Sequence, residues 1–236
     1  MGGDQFRFSS FDGFNARLIE WRYKEFAKYF RGKSCLELGS SDGMGTSVLL
    51  DHFETVVAVD ADLQALQRLK ARFPTNALIC HACEFEDMDL DRQFDTVVAA
   101  HVLEHVEDPQ VFLSKVKKYL NSSSVLIIDV PNGDSLHRHI GVEMGLLGQI
   151  TDLNETDLTI GHRRVYVPDT FKTEIARAGL QILEFGGIFL KVLSNSQTEA
   201  LFSEGQIRAF LNIGRKYPEI AAEIYAITEC SPYALS

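Results

Sequence analysis

Glu37-Leu38-Gly39-Ser40-Ser41-Asp42-Gly43 is the stretch whose reading decides the fold. It follows the short apolar run from Ser34 to Leu38 and precedes Met44 to Phe53, where apolar residues recur at helical spacing. The order is strand, tight loop, helix. Glycines at 39 and 43 remove side chains that would keep a ligand off the backbone. The helix that follows turns free N–H groups and the positive end of its dipole toward the loop. A dinucleotide site would carry G-x-G-x-x-G to admit a pyrophosphate. Here the loop instead opens on an acid, Glu37, which repels phosphate and suits a cofactor bearing an amino group.

On either side of this loop the alternation continues. Thr55 to Val59 is a β-branched run closed by Asp60, and Leu63, Leu66, Leu69 and Phe73 mark a helix ending at Pro74. Ala77 to Cys80, Phe94 to Ala99 and Val125 to Val130 read as further strands, with a helix from Pro109 to Leu120. Upstream, Leu18, Trp21, Tyr23, Phe26, Ala27 and Phe30 place a helix at about 15–30, stopped by Gly32. Such alternation implies right-handed crossovers and an α/β fold, a doubly wound, mainly parallel sheet covered on both faces. Asp60 falls about twenty residues after the loop, where a carboxylate accepts both ribose hydroxyls.

From Asn132 to Ile160 the rhythm breaks, and a stretch this long reads as a lid or binding insertion, about 132–166. A helix then runs from about Asp169 to Ala178, followed by a strand from Leu180 to Phe185 and an extended segment from Ile188 to Leu193. Ala209, Phe210 and Ile213 suggest another helix, and Ala222 to Thr228 alternates as a last strand. No linker or repeat is visible, so 1–236 reads as one domain with its core at about 33–131 and 167–230.

At 236 residues and 45% hydrophobic composition, the chain can bury a core without disulfide or metal staples. A net charge of -10 counts against a nucleic-acid partner, which needs a basic face. Cys80 and Cys83 form a lone C-x-x-C with no second pair, so reduced thiols are expected and no metal site. His137, Arg138 and His139, with Asp134 and Asp152 nearby, match no ligand spacing either. The first residues lack a signal-peptide layout and no apolar run is long enough to span a bilayer, so the expectation is a cytoplasmic protein with no membrane partner.

The loop resembles the E/D-x-G-x-G-x-G motif of class I S-adenosylmethionine-dependent methyltransferases, with Ser41 at the middle glycine. Phe94-Asp95-Thr96-Val97-Val98 followed by His101-Val102-Leu103-Glu104-His105-Val106-Glu107-Asp108-Pro109 resembles the F-D-x-V…L-E-H-V-x-D-P signature of the small-molecule branch. Val130-Pro131-Asn132 is similar to the exit of that family's fifth strand, and Gly161-His162-Arg163-Arg164-Val165-Tyr166 to its G-H-x-R-x-Y/F segment. Together these run from about Lys33 to Phe185 in the family's order.

The resemblance implies a Rossmann-like sheet of seven strands, the last antiparallel, with an insertion after the fifth, and S-adenosylmethionine as cofactor. It places Glu37, Gly39, Ser40, Ser41 and Gly43 around the methionine portion and Asp60 on the ribose, with Ala61 and Asp62 beside the adenosine. Cys83, Glu84 and Phe85 fall at the adenine, though Phe85 has core packing as an equal alternative. Ala100 and His101 line the sulfonium.

Methyl transfer is an in-line displacement, so the protein mainly aligns nucleophile, methyl and sulfur. A hydroxyl acceptor also calls for a base, and His101 and His162 are the catalytic candidates, while His105 reads as a loop anchor. Arg163 or Arg164 either holds an acidic acceptor or belongs to a solvated turn. Trp21 and Tyr23 either cover the cofactor or pack in the core. The expected reaction moves a methyl group to a hydroxyl or amine of a small metabolite, such as a sugar or polysaccharide precursor. The alternatives are a protein or nucleic-acid acceptor and a non-catalytic cofactor-binding relative; an NAD-type oxidoreductase is disfavoured by the missing glycines.

Overall fold

β-Branched and apolar runs become strands where the sequence places them: β1 (Ser34–Leu38), β2 (Thr55–Asp60), β3 (Leu78–Ala82), β4 (Phe94–Ala100) and β5 (Leu120–Pro131). These pair in parallel, and β6 (Leu180–Ile188) and β7 (Glu223–Cys230) complete one sheet in the order β3-β2-β1-β4-β5-β7-β6. β7 runs antiparallel to both of its neighbours. The order reverses between β1 and β4, the switch point at whose carboxyl edge α/β sheets bind ligands. This is a computed structural model, and it describes residues 13–41 and 43–230. Asp42 of the glycine loop and both ends of the expected domain therefore lie outside the described residues.

Nine α-helices lie among the described residues: α1 (Gly13–Phe26), α2 (Met44–Leu50), α3 (Leu63–Arg72), α4 (Pro109–Lys117), α5 (Leu136–Glu143), α6 (Glu155–Thr159), α7 (Pro168–Arg177), α8 (Asn195–Leu201) and α9 (Glu204–Lys216). The pleat sends alternate strand residues to opposite faces. Leu36, Val97 and Ala99 meet Phe112 and Val116 of α4 and Phe171 of α7 on one face. Cys35, Val98 and Ile127 meet Phe26 of α1, Leu49 of α2, Leu69 of α3 and Leu211 of α9 on the other. Full burial of side chains such as Phe26 and Phe171 contributes about 1.5–3 kcal/mol each.

Helix starts follow local chemistry. The Asp62 side chain accepts from the backbone N–H groups of Gln64 and Ala65, and Asp108 from those of Gln110 and Val111 ahead of Pro109. Three expectations need correction. The N-terminal helix ends at Phe26 and continues as a 3-10 turn over Ala27–Tyr29. Between Ile188 and Leu193 there is no extended strand: β6 stops at Ile188, because Phe189 takes a left-handed φ of 60° and turns the chain away. The insertion is not irregular throughout but carries α5 and α6. No helix among the described residues is long and apolar enough to cross a membrane.

Candidate active site

The glycine loop is held from behind. The Gly39 N–H donates to the Val59 carbonyl at 2.8 Å, and a Cβ at Gly39, whose φ is 74°, would lie 2.9 Å from Val102 Cγ2. Gly43, at a φ of 89°, lies so close to α3 that a Cβ would meet Leu69 Cδ1 at 2.1 Å. Ser41 has a φ of 46°, a left-handed conformation that costs a residue with a Cβ about 1 kcal/mol. Its N–H donates to Asp60 Oδ2 at 2.8 Å, while the Asp62 N–H donates to Oδ1 at 2.9 Å. Asp60 thus ties the loop after β1 to the end of β2. Ser40 is buried in the same loop, and its Oγ has no hydrogen-bond partner.

Glu37 is 1% exposed and accepts from Tyr23 Oη at 2.8 Å and Thr46 Oγ1 at 2.5 Å. Burial pushes its carboxyl up to about 7, with the charge of Asp60 adding to the rise and the two hydroxyl donors opposing it. Tyr23 reaches Glu37 because residue 45 is glycine; a Cβ there would lie 2.1 Å from the phenol Cζ. The ring is therefore a buried wall between α1 and α2, while Trp21 stacks on Phe189 at 6.4 Å. Of the residues expected at the adenine, the Cys83 N–H donates to the Asp60 carbonyl at 3.2 Å, Glu84 is exposed, and Phe85 meets Phe112 edge-on at 5.4 Å. Ala61 and Asp62 are exposed at the exit of β2. Cys80 and Cys83 are free thiols.

Ala100 ends β4, and His101 follows with a φ of 53°, its N–H donating to the Asp129 carbonyl at 3.1 Å. The His101 ring stands amid buried charge. Its Nε2 lies 2.8 Å from Arg22 Nη2, 3.4 Å from Asp129 and 3.6 Å from Glu223. Its Nδ1 lies 3.3 Å from Glu104 Oε1. Arg22 bridges Asp129 at 3.0 Å and Glu223 at 2.7 Å. Burial works against each of these charges. For Arg22 the two carboxylates outweigh it, so its pKa rises; for Glu223, Arg22 and His101 outweigh it, so its pKa falls well below the carboxylate range. Burial and Arg22 disfavour protonated His101, yet Asp129 and Glu223 hold its pKa above the ordinary imidazole value.

His162 is 8% exposed, with Nδ1 3.4 Å from Asp157 and Nε2 3.9 Å from Glu104 Oε1; its ring packs on His105 at 4.7 Å. His105 Nδ1 faces the Gly161 carbonyl at 3.3 Å. Arg163 donates to the His105 carbonyl at 3.0 Å, and Arg164 to those of Leu103, Val106 and Glu107 at 2.9, 2.5 and 2.8 Å. Both guanidinium groups brace the loop after β4. Arg138 is likewise occupied, by Asp157 at 3.1 Å and the Ile150 carbonyl at 2.7 Å. In front of these groups lies a cleft of about 700 Å³ whose walls include Leu18, His101, His137, His162, Lys191 and Glu223.

A family model described as a methyltransferase domain matches residues 11–185. The chain belongs to the methyltransferase-domain family. A probable S-adenosylmethionine-dependent methyltransferase of Mycobacterium tuberculosis is 24% identical over 208 residues, which cover 87% of this chain and 71% of that one. The mitochondrial ubiquinone biosynthesis O-methyltransferase of Schizosaccharomyces pombe is 26% identical over 120 residues, covering 49% of this chain and 44% of the relative. The chain spans between 40% and 71% of the length of the curated relatives it matches. A crystal structure of an S-adenosylmethionine-dependent methyltransferase from Mesorhizobium loti shares the fold, with a TM-score of 0.65, 14% identity and coverage of 92% of this chain and 99% of that one.

The Mycobacterium tuberculosis and Mesorhizobium loti relatives are S-adenosylmethionine-dependent methyltransferases, and the residues present here fit that cofactor. Asp60 gives one lone pair per oxygen to the backbone and retains others for ribose hydroxyls. The cradle at Gly39 is one that a Cβ would fill. Sequence reasoning missed Arg22, Asp129 and Glu223 as members of the site. One signal was available: Phe14, Leu18, Arg22 and Phe26 form an i, i+4 row on the buried face of α1, with a single charge in it. Asp129 similarly interrupts the apolar run of β5.

Proposed function

We propose that this methyltransferase moves the methyl group of S-adenosylmethionine to a hydroxyl or amine of a small metabolite seated in the cleft. The observation that carries this is the cleft itself, about 700 Å³, which reaches His101 at the β4 exit beside the glycine loop. That volume suits a small molecule. Glu37, Gly39, Ser40, Ser41 and Gly43 hold the methionine portion, Asp60, Ala61 and Asp62 the ribose side, and Cys83, Glu84 and Phe85 the adenine. Ala100 and His101 lie beside the sulfonium. The bound cofactor supplies a methyl carbon already activated by its positive sulfur. An acceptor lone pair forms the new bond to that carbon as the carbon–sulfur bond breaks and its electron pair stays on sulfur. His101 and His162 flank Glu104 on the cleft side, and one of these two imidazoles takes the single proton the acceptor releases. The names of relatives support a small acceptor: ubiquinone biosynthesis O-methyltransferases match in sequence, and N-methyltransferases match in fold.

Methyl-labelled cofactor incubated with a small-metabolite extract tests this, with label expected in a low-mass product that depends on His101. Label found only in protein or nucleic acid would replace the acceptor class. Cofactor binding without any transfer would make the chain a non-catalytic relative.

A further inference from the structure

We propose that Glu104, His105 and His162 together bind a divalent transition-metal cation of the zinc class at the side of the cleft. One ligand atom from each lies within 4.8 Å of the others. Glu104 is 1% exposed, and neither of its carboxylate oxygens has a hydrogen-bond partner. His101 Nδ1 approaches one of these oxygens at 3.3 Å without forming a hydrogen bond, and a buried carboxylate with no hydrogen bond is costly, so a cation would complete it.

The surroundings point the same way. His105 Nδ1 is taken by the Gly161 carbonyl at 3.3 Å, which leaves Nε2 available. His162 Nδ1 is taken by Asp157 at 3.4 Å, and its Nε2 lies 3.9 Å from Glu104 Oε1. An outer nitrogen tied to an oxygen acceptor sets the tautomer and aims the inner nitrogen at a metal. Two imidazoles and one carboxylate form a zinc-type donor set with a position left open for an exchangeable ligand. His101 Nδ1 borders the same carboxylate at 3.3 Å.

A second cluster, His101, Asp129 and Glu223, has a similar composition and lies close by. There the cationic place is already filled, because Arg22 sits 3.0 Å from Asp129 and 2.7 Å from Glu223. Among the described residues no guanidinium is paired with Glu104. The sequence showed no metal spacing because its ligands come from two distant stretches, the loop after β4 and the turn before α7.

His162 lines the cleft, so the open position is accessible to an acceptor oxygen. A hydroxyl bound there is made more acidic. With the cation bound, His162 is a ligand and not the base it would be in the metal-free site: the hydroxyl proton leaves to solvent, the oxygen forms the bond to the methyl carbon, and the carbon–sulfur bond breaks with the electron pair retained by sulfur. This consequence rests on the methyl-transfer reading and selects a hydroxyl over an amine; the cation site itself does not depend on it.

The test is calorimetric titration of chelator-stripped full-length protein with Zn²⁺, repeated with Co²⁺ to record the visible absorption of bound cobalt. One cation per chain is expected. Glu104→Gln and His162→Asn should each weaken binding at least tenfold, and Asp157→Asn about tenfold through the tautomer it sets. Binding of S-adenosylhomocysteine, which uses the opposite half of the site, reports that each variant is folded. No cation binding by a wild-type protein that still binds S-adenosylhomocysteine would overturn the cation site and leave the methyltransferase reading standing. Cation binding that survives Glu104→Gln and is lost in Asp129→Asn would also overturn it, by placing the cation in the other cluster.

Discussion

The two halves of the proposed site, one assigned to the cofactor and one to the acceptor, are built by opposite means. The cofactor half comes from two successive strand exits, Glu37 to Gly43 after β1 and Asp60 to Asp62 after β2, joined by the Ser41 N–H on Asp60 at 2.8 Å. The acceptor half is assembled from α1, the exits of β4 and β5, the turn before α7 and the start of β7. Its Arg22–Glu223 contact joins residues 201 apart. Backbone shape does the work in the first half, and buried side-chain charge in the second. A loop of fixed backbone shape leaves a compact pattern in the sequence. A charge network closed by tertiary contacts leaves isolated charges in apolar segments, with no characteristic spacing.

The largest expected effect lies in the acceptor half. Arg22→Ala removes the only guanidinium shown between Asp129 and Glu223 among the described residues and leaves two buried carboxylates facing each other. A loss of about 3–5 kcal/mol in urea denaturation is expected. A loss below about 1 kcal/mol would mean that the network relaxes into solvent and that the contrast between the halves is overstated.

Next comes the single buried carboxyl of the cofactor half. Glu37 holds its proton up to about 7 in the folded chain against an ordinary value of 4.5. Below 4.5 both states are protonated and the effect is absent. Between 4.5 and about 7 the unfolded chain releases the proton while the folded chain keeps it, so stability falls as pH rises through that window. The loss is on the order of 3 kcal/mol, and denaturation profiles should show it flattened in Glu37→Gln. An unchanged profile in the variant would mean that Glu37 is ionised throughout, held by Tyr23 and Thr46.

The smallest effect separates backbone shape from side-chain chemistry. Ser41→Gly should stabilise the chain by up to about 1 kcal/mol, because glycine adopts a φ of 46° without the Cβ penalty. Thermal melts would show it, and a destabilised variant would assign the Ser41 side chain a bonding role of its own.

Legibility in the sequence follows the same division. β1 begins and ends where its apolar run does, and β2 extends its run only by Asp60. These strands are central, buried on both faces and closed by turn residues, so local pattern and tertiary demand agree. By contrast, α8 was not anticipated, although Ser194 and Gln197 form a capping box at its start; the Ser203–Gln206 box likewise starts α9 at Glu204, ahead of the apolar residues that suggested a helix there. α5 and α6 lie in an insertion whose exposed Met144, Leu146 and Leu158 blur the apolar stripe that would reveal a helix. Among the candidate site residues, the position of Asp60 at the end of β2 was legible because its distance from the glycine loop is set by one strand–helix–strand unit. Glu104 stood inside a quoted motif, yet its unpartnered carboxylate emerges only when His105 and His162 are seen around it.

On this reading the half built from backbone holds S-adenosylmethionine independently of the charged half. Calorimetry with S-adenosylhomocysteine on the wild type, Asp60→Ala and His162→Asn tests it most directly. Micromolar-range binding to the wild type is expected, weakened roughly 10- to 100-fold by Asp60→Ala, as follows from lost hydrogen bonds to a charged group. His162→Asn should change it by less than about twofold. No binding by the folded wild type, or equal binding by Asp60→Ala, would contradict it.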